Sequence, residues 1–283
     1  MANGQPRTHH FTGVAEVLSA QLQLPLLQDV NPQAYVTLPD QGGYLSEQAQ
    51  NYRLEGVLSF QTAYTQVAGS LGIKSGHGWT TVVTSVVTGL NVLDVVTADR
   101  VVAQVSTEHP LDGYVPSVTF LGTRFENLRI GGQDVNPVLN LGICGATPAN
   151  DGLYILDPSF LGRVSQQYTQ INSASGVPAA LQQRYDAALL NPATIQAQMQ
   201  AAANGQGDKP AIECSLVDGV ASDVTGAAFG HVIVVPGFGT VSLAELAVDD
   251  DSFHLTMISL DLGCLADGKA KICDVIVNGH TVP

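Results

Sequence analysis

The sequence contains few charged residues and very few basic ones. Only 11 of its 283 residues are Lys or Arg, against 25 Asp or Glu, which gives a formal net charge of −14. Phosphate backbones and anionic membrane surfaces are bound through clusters of Lys and Arg. The charge balance therefore disfavours nucleic acid and membrane surfaces as partners. Because only 13% of the chain is charged and 45% is hydrophobic, much of the surface must be uncharged, which favours a secreted or self-associating protein.

Catalytic signatures are absent as well. The sequence has no G-x-S-x-G, which would expose a hydrolase serine, and no H-E-x-x-H, Walker A or Rossmann fingerprint. The nearest glycine-rich turn, Pro-Gly-Phe-Gly at 236–239, precedes a predicted strand, so it offers no helix N-terminus to a phosphate. Aromatic residues make up only 6% of the chain, which argues against an extended sugar-stacking groove. We therefore predict no cofactor and name no catalytic residue.

Long uncharged hydrophobic runs are also missing. The most apolar stretch, 79–106, is rich in Val and Thr, which lose side-chain freedom in a helix but pack well on a pleated sheet. It predicts two strands, near 80–88 and 91–106, with a bend at Gly89, in the middle of a sheet. No membrane span is expected, because polar and charged residues including Asp94 interrupt the run before about 18 residues are reached.

The remaining chain carries further strand signals and one helical stretch. Alternating apolar and polar residues predict strands at 11–27, 32–39, 52–68, 117–130, 212–217, 231–235, 241–248, 252–262 and 272–277. From 158 to 203, Gln, Ala, Leu and Met dominate. Pro158, Pro178 and Pro192 stand where the first turn of a helix tolerates proline, so three short helices are predicted.

These elements together predict a mainly β protein. We expect a single domain over 1–283, built as an antiparallel β-sandwich or jelly-roll-like body. The helical insertion, 158–203, would separate two β halves, 1–157 and 208–283. Such an excursion from a sheet is a common place for a lid or a contact arm.

Four cysteines occur, without a C-x-x-C pair, at positions 144, 214, 264 and 273. Cys264 and Cys273 bracket an Asp-Gly turn signal, so one interpretation is a disulfide that closes a short hairpin. The other is a set of buried free thiols in a reducing compartment. The sequence leaves both interpretations open.

Four segments share strand and turn features with a known group of proteins: FTGVAEV (11–17), VTADRVVAQVS (96–106), VTFLGTRFENLRIGG (118–132) and VPGFGTVSLAEL (235–246). They resemble the bacterial, mostly extracellular, β-rich choice-of-anchor proteins, particularly the P type. The resemblance implies an extracellular or cell-surface setting and no established catalytic residues. The first residues lack the charged start and apolar core of a secretory signal, which departs from that pattern. A cytoplasmic location is therefore the alternative.

Two histidines in the second half are candidate ligands. His231 and His254 lie in predicted strands that could pair, and Asp261 or Glu245 could complete a metal site with them. The alternative is that each histidine is half-buried and hydrogen-bonded locally.

A glycine-rich loop gives a second candidate. Within Ser-Gly-His-Gly-Trp at 75–79, the glycines would let the backbone approach a ligand, and Trp79 would offer a stacking face beside His77. Alternatively, this is a hairpin loop whose tryptophan anchors it to the core.

The densest acidic run is a candidate calcium site. Asp249, Asp250 and Asp251 could supply oxygen ligands to Ca²⁺, but they have no EF-hand spacing. An acidic turn between two strands is equally well explained by solvation.

The leading functional hypothesis is a non-catalytic structural or binding protein that self-associates. The first alternative is a hydrolase or metal-dependent enzyme with a site between the β body and the helical insertion, which requires two of His77, His231 and His254 to meet a carboxylate in one pocket. The second alternative is a carrier of small apolar ligands, which requires a closed cavity of several hundred Å³.

Overall fold

A computed structural model describes residues 7–24, 27–54, 56–72, 76–221, 223–263 and 266–282. The first half contains β1 (Thr8–Leu24), β2 (Gln28–Gln33), β3 (Val36–Thr37), β4 (Gly43–Leu54), β5 (Leu58–Leu71), β6 (Trp79–Val92), β7 (Val96–His109), β8 (Ser117–Thr119), β9 (Arg124–Glu126), β10 (Arg129–Ile130), β11 (Gln133–Asp134) and β12 (Pro137–Leu139). The second half contains α1 (Pro158–Ser173), α2 (Ala179–Arg184), α3 (Pro192–Ala203), β13 (Ile212–Ser215), β14 (Val217–Val220), β15 (Ala227–Phe229), β16 (Val232–Val235), β17 (Gly239–Val248), β18 (Phe253–Gly263) and β19 (Asp267–Val282). Short 3-10 turns lie at Ala149–Asp151, Tyr154–Leu156 and Ala187–Leu190.

Two antiparallel sheets form the body of the protein, which confirms the predicted mainly β fold. Sheet A has the strand order β15-β16-β17-β18-β19-β1-β2, with β13 added to β17 and β3 added to β1. Sheet B has the order β11-β10-β7-β6-β5-β4, with β8 and β9 added to β7. β1 and β19 of sheet A lie against β5, β6 and β7 of sheet B, so the core is the space between the two sheets.

The Val- and Thr-rich stretch forms the centre of sheet B, as predicted. β6 and β7 pair from Trp79↔His109 to Val92↔Val96, and β5 covers the other edge of β6. Their inward valines are fully buried, and each such side chain contributes about 1.5–3 kcal/mol of transfer free energy. The predicted bend at Gly89 is wrong: the chain turns four residues later, where Leu93 and Asp94 both have positive φ.

The predicted strand over 52–68 is also wrong. The chain reverses at Gly56, which has a φ of 73°, and the two sides of that turn are the separate strands β4 and β5. Apolar and polar residues alternate through the turn, because each side of the hairpin continues the same period-two pattern. The alternation therefore hides the turn from the sequence.

Sheet A contains a break in the in-and-out alternation that runs across four strands. On each strand two successive apolar residues are buried where the alternation would bury one: Val17/Leu18, Leu243/Ala244, Met257/Ile258 and Ile272/Cys273. The pairs lie side by side in the sheet, since Ile272 is opposite both Leu18 and Ile258. Ala244 and Cys273 have positive φ, which reverses the pleat locally. Beyond the break the same face of the sheet stays buried, but the buried positions change from odd to even numbers, or from even to odd, along each strand.

The helical insertion packs onto sheet A. Asp157 and Asn191 cap α1 and α3 by accepting hydrogen bonds from Phe160 N at 2.8 Å and Ala193 N at 2.9 Å, and a proline follows each cap. Gln167 of α1 holds the backbone of Ser215 in β13, with its Nε2–H donating to the carbonyl at 2.8 Å and its Oε1 accepting from the amide at 3.1 Å. The insertion is therefore fixed to the edge of the sheet by backbone-directed hydrogen bonds.

Among the described residues, no helix is both long and apolar enough to cross a bilayer.

Candidate functional site

Among the long strands in the described part of the chain, β4 is the most exposed. Of its twelve residues, only Ala49, Tyr52 and Leu54 are partly covered, and the other nine are exposed. It pairs with β5 along one side, from Gly43↔Gly69 to Leu54↔Leu58. Because β4 is the last strand of sheet B, the backbone amides and carbonyls along its other side face no strand of the described chain. Such an edge can accept a further strand.

The other sheet edges in the described part of the chain are short. β15 has three residues and β11 has two, while β2 has six and contains Pro32, which cannot donate a ladder hydrogen bond. Short edge strands and prolines are two of the means by which proteins prevent strand addition. β4 has twelve residues and no proline, so it is the longest free edge described.

The side chains of β4 provide apolar contact area and little net charge. Tyr44 is 59% exposed and Leu45 is 42% exposed. Glu47 and Arg53 are the only charged residues of the strand, and their charges cancel. A chain of net charge −14 repels copies of itself. The repulsion is weakest where the local charge is zero, and this strand is such a place.

A second feature is a row of polar side chains on the outer face of sheet A. Glu16, Asp274, Thr256 and Glu245 are successive cross-strand neighbours on β1, β19, β18 and β17. His254 Nε2 lies 2.7 Å from Asp274 Oδ1, and the Thr256 hydroxyl donates to the same oxygen. The row lies directly beside the break in alternation. Each of its residues adjoins one of the buried pairs, and its side chain lies on the opposite face of the sheet.

Glu16 and Asp274, the two carboxyl groups at one end of the row, have pKa values shifted in opposite directions. Burial raises the pKa of Glu16, and the nearby charge of Asp274 adds to the shift while a hydrogen bond from Ser19 opposes it. Burial alone would raise the pKa of Asp274 too, but the hydrogen bond and charge of His254, with those of its other neighbours, lower it overall. Asp274 is therefore held as a carboxylate that accepts hydrogen bonds.

The row opens into a trough of about 720 Å³ between sheet A and α2 of the helical insertion. Its lining includes Arg184, His254, Ser259 and Lys271. Arg184 bridges the insertion and the sheet through ion pairs with Glu213 at 2.7 Å and with the Glu245 carboxylate at 2.8 Å. The trough is open and is lined by both polar and apolar side chains, unlike the closed apolar cavity that a carrier requires.

His231 and His254 do not form a shared site. His231 lies in the turn before β16, and β16 and β18 are separated by β17, so the predicted strand pairing is wrong. His231 is fully buried, and its Nε2 lies 3.0 Å from the hydroxyl of Tyr185. Burial, together with the charge of Arg184, lowers the pKa of His231 to about 3. It is a neutral, locally hydrogen-bonded residue.

The remaining proposed carboxylates also have other roles. Glu245 is paired with Arg184, and Asp261 is an exposed residue opposite Lys269. Among the interactions of the described residues, neither carboxylate contacts both His231 and His254.

His77 and Trp79 contact different partners. His77 is exposed, and its Nδ1 lies 3.0 Å from Glu108 Oε1. Trp79 begins β6 and stacks on His9, with ring centroids 5.2 Å apart and an angle of 12° between the planes. Residues 73–75 of this loop, including part of the glycine-rich sequence, lie outside the described residues. The tryptophan therefore packs against the first strand, beside the loop.

The acidic run has a positive charge next to it. One carboxylate oxygen from each of Asp249, Asp250 and Asp251 lies within 4.8 Å of the others. Lys209 Nζ is 3.1 Å from Asp250 and 3.0 Å from Asp251. Asp249 accepts hydrogen bonds from the backbone of Asp251 and Ser252. The lysine and the hydrogen bonds of the turn thus account for the positions of the three carboxylates. A calcium site remains an expectation from the sequence.

The cysteines of the described chain are buried thiols. Cys144, Cys214 and Cys273 are free, and burial raises the pKa of Cys144 and Cys273 to about 12. Cys273 Sγ points into the core and lies 3.6 Å from the carbonyl oxygen of Val101. Because Cys273 is a free thiol, the interpretation that it forms a disulfide with Cys264 is wrong. Cys264 lies outside the described residues.

Comparison with known proteins gives one match. A family model described as Domain of unknown function (DUF8256) matches residues 9–249. No curated protein and no solved structure matches the chain.

Proposed function

The chain belongs to the DUF8256 family, and we propose that it is a non-catalytic structural or binding protein that self-associates through the free edge of β4. The exposed twelve-residue edge strand carries this proposal. A bacterial extracellular or cell-surface setting is part of the same proposal. It is supported by the low charge density and by the resemblance of several strand segments to those of choice-of-anchor proteins.

A second copy of the chain is the partner that the edge fits best. Two β4 strands related by a two-fold axis would pair antiparallel, and each would satisfy the other's free amides and carbonyls. Tyr44 and Leu45 of each copy would gain contacts. The pairing brings no excess of like charge together, because each strand carries one acid and one base.

The trough supports a second candidate, an enzyme or ligand-binding site between the β body and the insertion. His254 lines it and is hydrogen-bonded to Asp274, which gives a histidine–carboxylate pair at the place where the enzyme hypothesis requires a site. The hypothesis also requires a second histidine there. His231 and His77 lie elsewhere and are hydrogen-bonded to Tyr185 and Glu108, so self-association remains the favoured function.

The solution mass of the protein tests the proposal. Light scattering after size exclusion, over a wide range of protein concentration, should show a mass that rises above the 29.6 kDa monomer. The double variant Gln48→Lys/Gln50→Lys adds two charges to β4, which should keep the protein monomeric.

The matched control is Gln196→Lys/Gln200→Lys on the exposed face of α3, which changes the net charge by the same amount. This control should associate like the unmodified chain. A mass that stays monomeric at the highest concentration, or an equal effect of both double variants, would overturn the proposal.

A further inference from the structure

Five of the seven histidines gather at one end of the sandwich. His9 and His10 lie at the start of β1, which pairs with the end of β19, where His280 lies. His109 ends β7, and His77 is hydrogen-bonded to Glu108 beside it. The two groups meet between the sheets, since the ring centroids of His9 and His109 are 4.6 Å apart.

The inner pair of histidines is buried against aromatic rings. His9 is 6% exposed and His109 is 1% exposed. His9 stacks on Trp79 and touches Phe11 edge-on, with centroids 4.6 Å apart. Its Nδ1 lies 3.0 Å from the Thr281 hydroxyl. The first and last strands are thus joined to β6 and β7 through imidazole rings.

This part of the core contains several polar atoms without partners. Among the described residues, Nε2 of both His9 and His109 and the hydroxyl oxygens of Thr81 and Thr107 are buried and make no hydrogen bond. Thr81 and Thr107 are opposite each other, two residues from the Trp79↔His109 pair. Buried polar groups are nearly always hydrogen-bonded in proteins. These four atoms therefore add no hydrogen bond between the two sheets at this end of the sandwich.

The protonation state of His109 follows from its one hydrogen bond. Its Nδ1 lies 3.2 Å from the carbonyl oxygen of Tyr114, which can only accept, so Nδ1 carries the proton. Nε2 is then an unprotonated nitrogen in an apolar surrounding. A second proton would place a cation there beside the His9 ring.

We propose that His9, His109, Trp79 and Thr281 form an acid-operated latch: protonation of the two histidines separates the start of β1 and the end of β19 from the adjoining ends of β6 and β7. The remaining body of the sandwich stays folded, because Trp79 and His109 form only the terminal pair of the long β6–β7 pairing, and the β17–β18–β19 pairing ends at Val277, before Thr281.

The charged groups around the latch mostly oppose protonation. Burial lowers the pKa of His9 to about 4, with further lowering from His109, His280 and His10, while Asp40 acts in the opposite direction. Burial lowers the pKa of His109 to about 4 as well, where the Tyr114 carbonyl opposes the shift and His280 adds to it.

The other charged groups of this end are already paired. His10 Nδ1 lies 2.7 Å from Asp40, and the His10 ring stacks on His280. Arg7 donates to the carbonyls of Leu111 and Gly113. The latch is thus closed while both histidines are neutral. Since an open latch returns them to water and an ordinary pKa of 6.5, acidification favours opening.

Trp79 reports on the latch directly, because it is the only tryptophan of the chain. Its fluorescence and its quenching by acrylamide should be followed from about pH 7.5 to about pH 4, with far-ultraviolet circular dichroism recorded on the same samples. We expect a reversible red shift and a rise in quenching on acidification, while the strand signal is retained.

The double variant His9→Asn/His109→Asn keeps a donor near Nδ1 and removes the titration. It should lower the midpoint of the Trp79 transition by about one pH unit or more, or abolish it. His254→Asn, at the other site, is the control and should leave the transition unchanged. Where the double variant does not fold, the carbon chemical shifts of the two imidazoles in the unmodified chain give the same information.

Three results would overturn the latch. Trp79 emission could stay constant down to about pH 4. The double variant could keep the original midpoint. Strand content could be lost together with the change at Trp79, which would indicate global unfolding.

Discussion

His254 Nε2 and Asp274 Oδ1 lie 2.7 Å apart across the β18–β19 pairing, and the carboxylate also accepts the hydroxyl proton of Thr256. Asp274 is 7% exposed, so its hydrogen bonds are made largely away from water. Hydrogen bonds to a charged, buried acceptor are among the stronger ones in proteins. The pair therefore fixes the polar row of sheet A, whatever the trough binds.

Replacing Asp274 should destabilise the protein. Asp274→Asn removes the charge, and one of its amide donors would face the donors of His254 and Thr256, so we expect a loss of about 1–3 kcal/mol in the free energy of unfolding. Urea denaturation measures the loss. Asp261→Asn, on the same face but exposed, should cost much less. Equal losses in the two variants would mean that the row contributes nothing specific.

Gly279 should not tolerate a side chain. A Cβ there would lie 2.4 Å from His9 Nε2 and 2.9 Å from the His10 carbonyl oxygen, so Gly279→Ala must displace β1 or the imidazole. We expect a loss of about 1–3 kcal/mol. Gly162→Ala, inside α1 and with no atom within 4 Å, should stabilise the protein by about 0.5–1 kcal/mol. Thermal unfolding of both variants checks these signs, and a neutral Gly279→Ala would contradict the packing.

Stability should fall on acidification below about pH 6.5. The pKa is lowered to about 4 for His9 and His109 and to about 3 for His231, from 6.5 in the unfolded chain. The unfolded chain therefore binds protons at a higher pH than the folded one, and the contribution of these neutral histidines is lost as the pH falls from 6.5 towards 3.

Urea midpoints at a series of pH values measure this dependence. Each pKa unit corresponds to about 1.4 kcal/mol, so the fully buried His231 alone contributes on the order of a few kcal/mol. His231→Gln should flatten the curve, whereas His77→Gln, at an exposed position, should not. A stability that rises between pH 6.5 and 4 would show that the folded state binds the protons.

Calcium should stabilise the protein more strongly after Lys209 is removed. Lys209→Met leaves Asp249, Asp250 and Asp251 without their adjacent ammonium group. We expect millimolar calcium to raise the melting temperature of this variant by more than that of the unmodified chain, and magnesium to do less. An equal response of both proteins would show that the lysine does not occupy the cation's position.

The sequence predicts the parts of this fold that depend on local chemistry. Val and Thr specify β6 and β7, and the caps Asp157 and Asn191, each followed by proline, mark α1 and α3. β4 is not predictable in this way, because both of its faces are exposed and its residues show no clear alternation. Its polar sequence resembles a loop.

The candidate sites depend on contacts that sequence spacing does not give. Glu16 and Asp274 are neighbours through strand register alone, although nearly the whole chain separates them. His9 precedes the predicted first strand, 11–27, but the alternation of β1 continues through it and places it inside. That pattern, with buried positions at 9, 11 and 13, is the signal that could have located it.

The break in alternation across sheet A constrains how this protein can change. Leu18, Ile272, Ile258 and Leu243 form one row, and a second row beside it, Val17, Cys273, Met257 and Ala244, is buried as well. A single-residue insertion or deletion in any one of these strands would exchange its polar and apolar sides beyond that point, while its neighbours stayed as they are. The four strands can therefore vary in length near the break only in concert, and homologous sequences should gain or lose residues there in all four or in none.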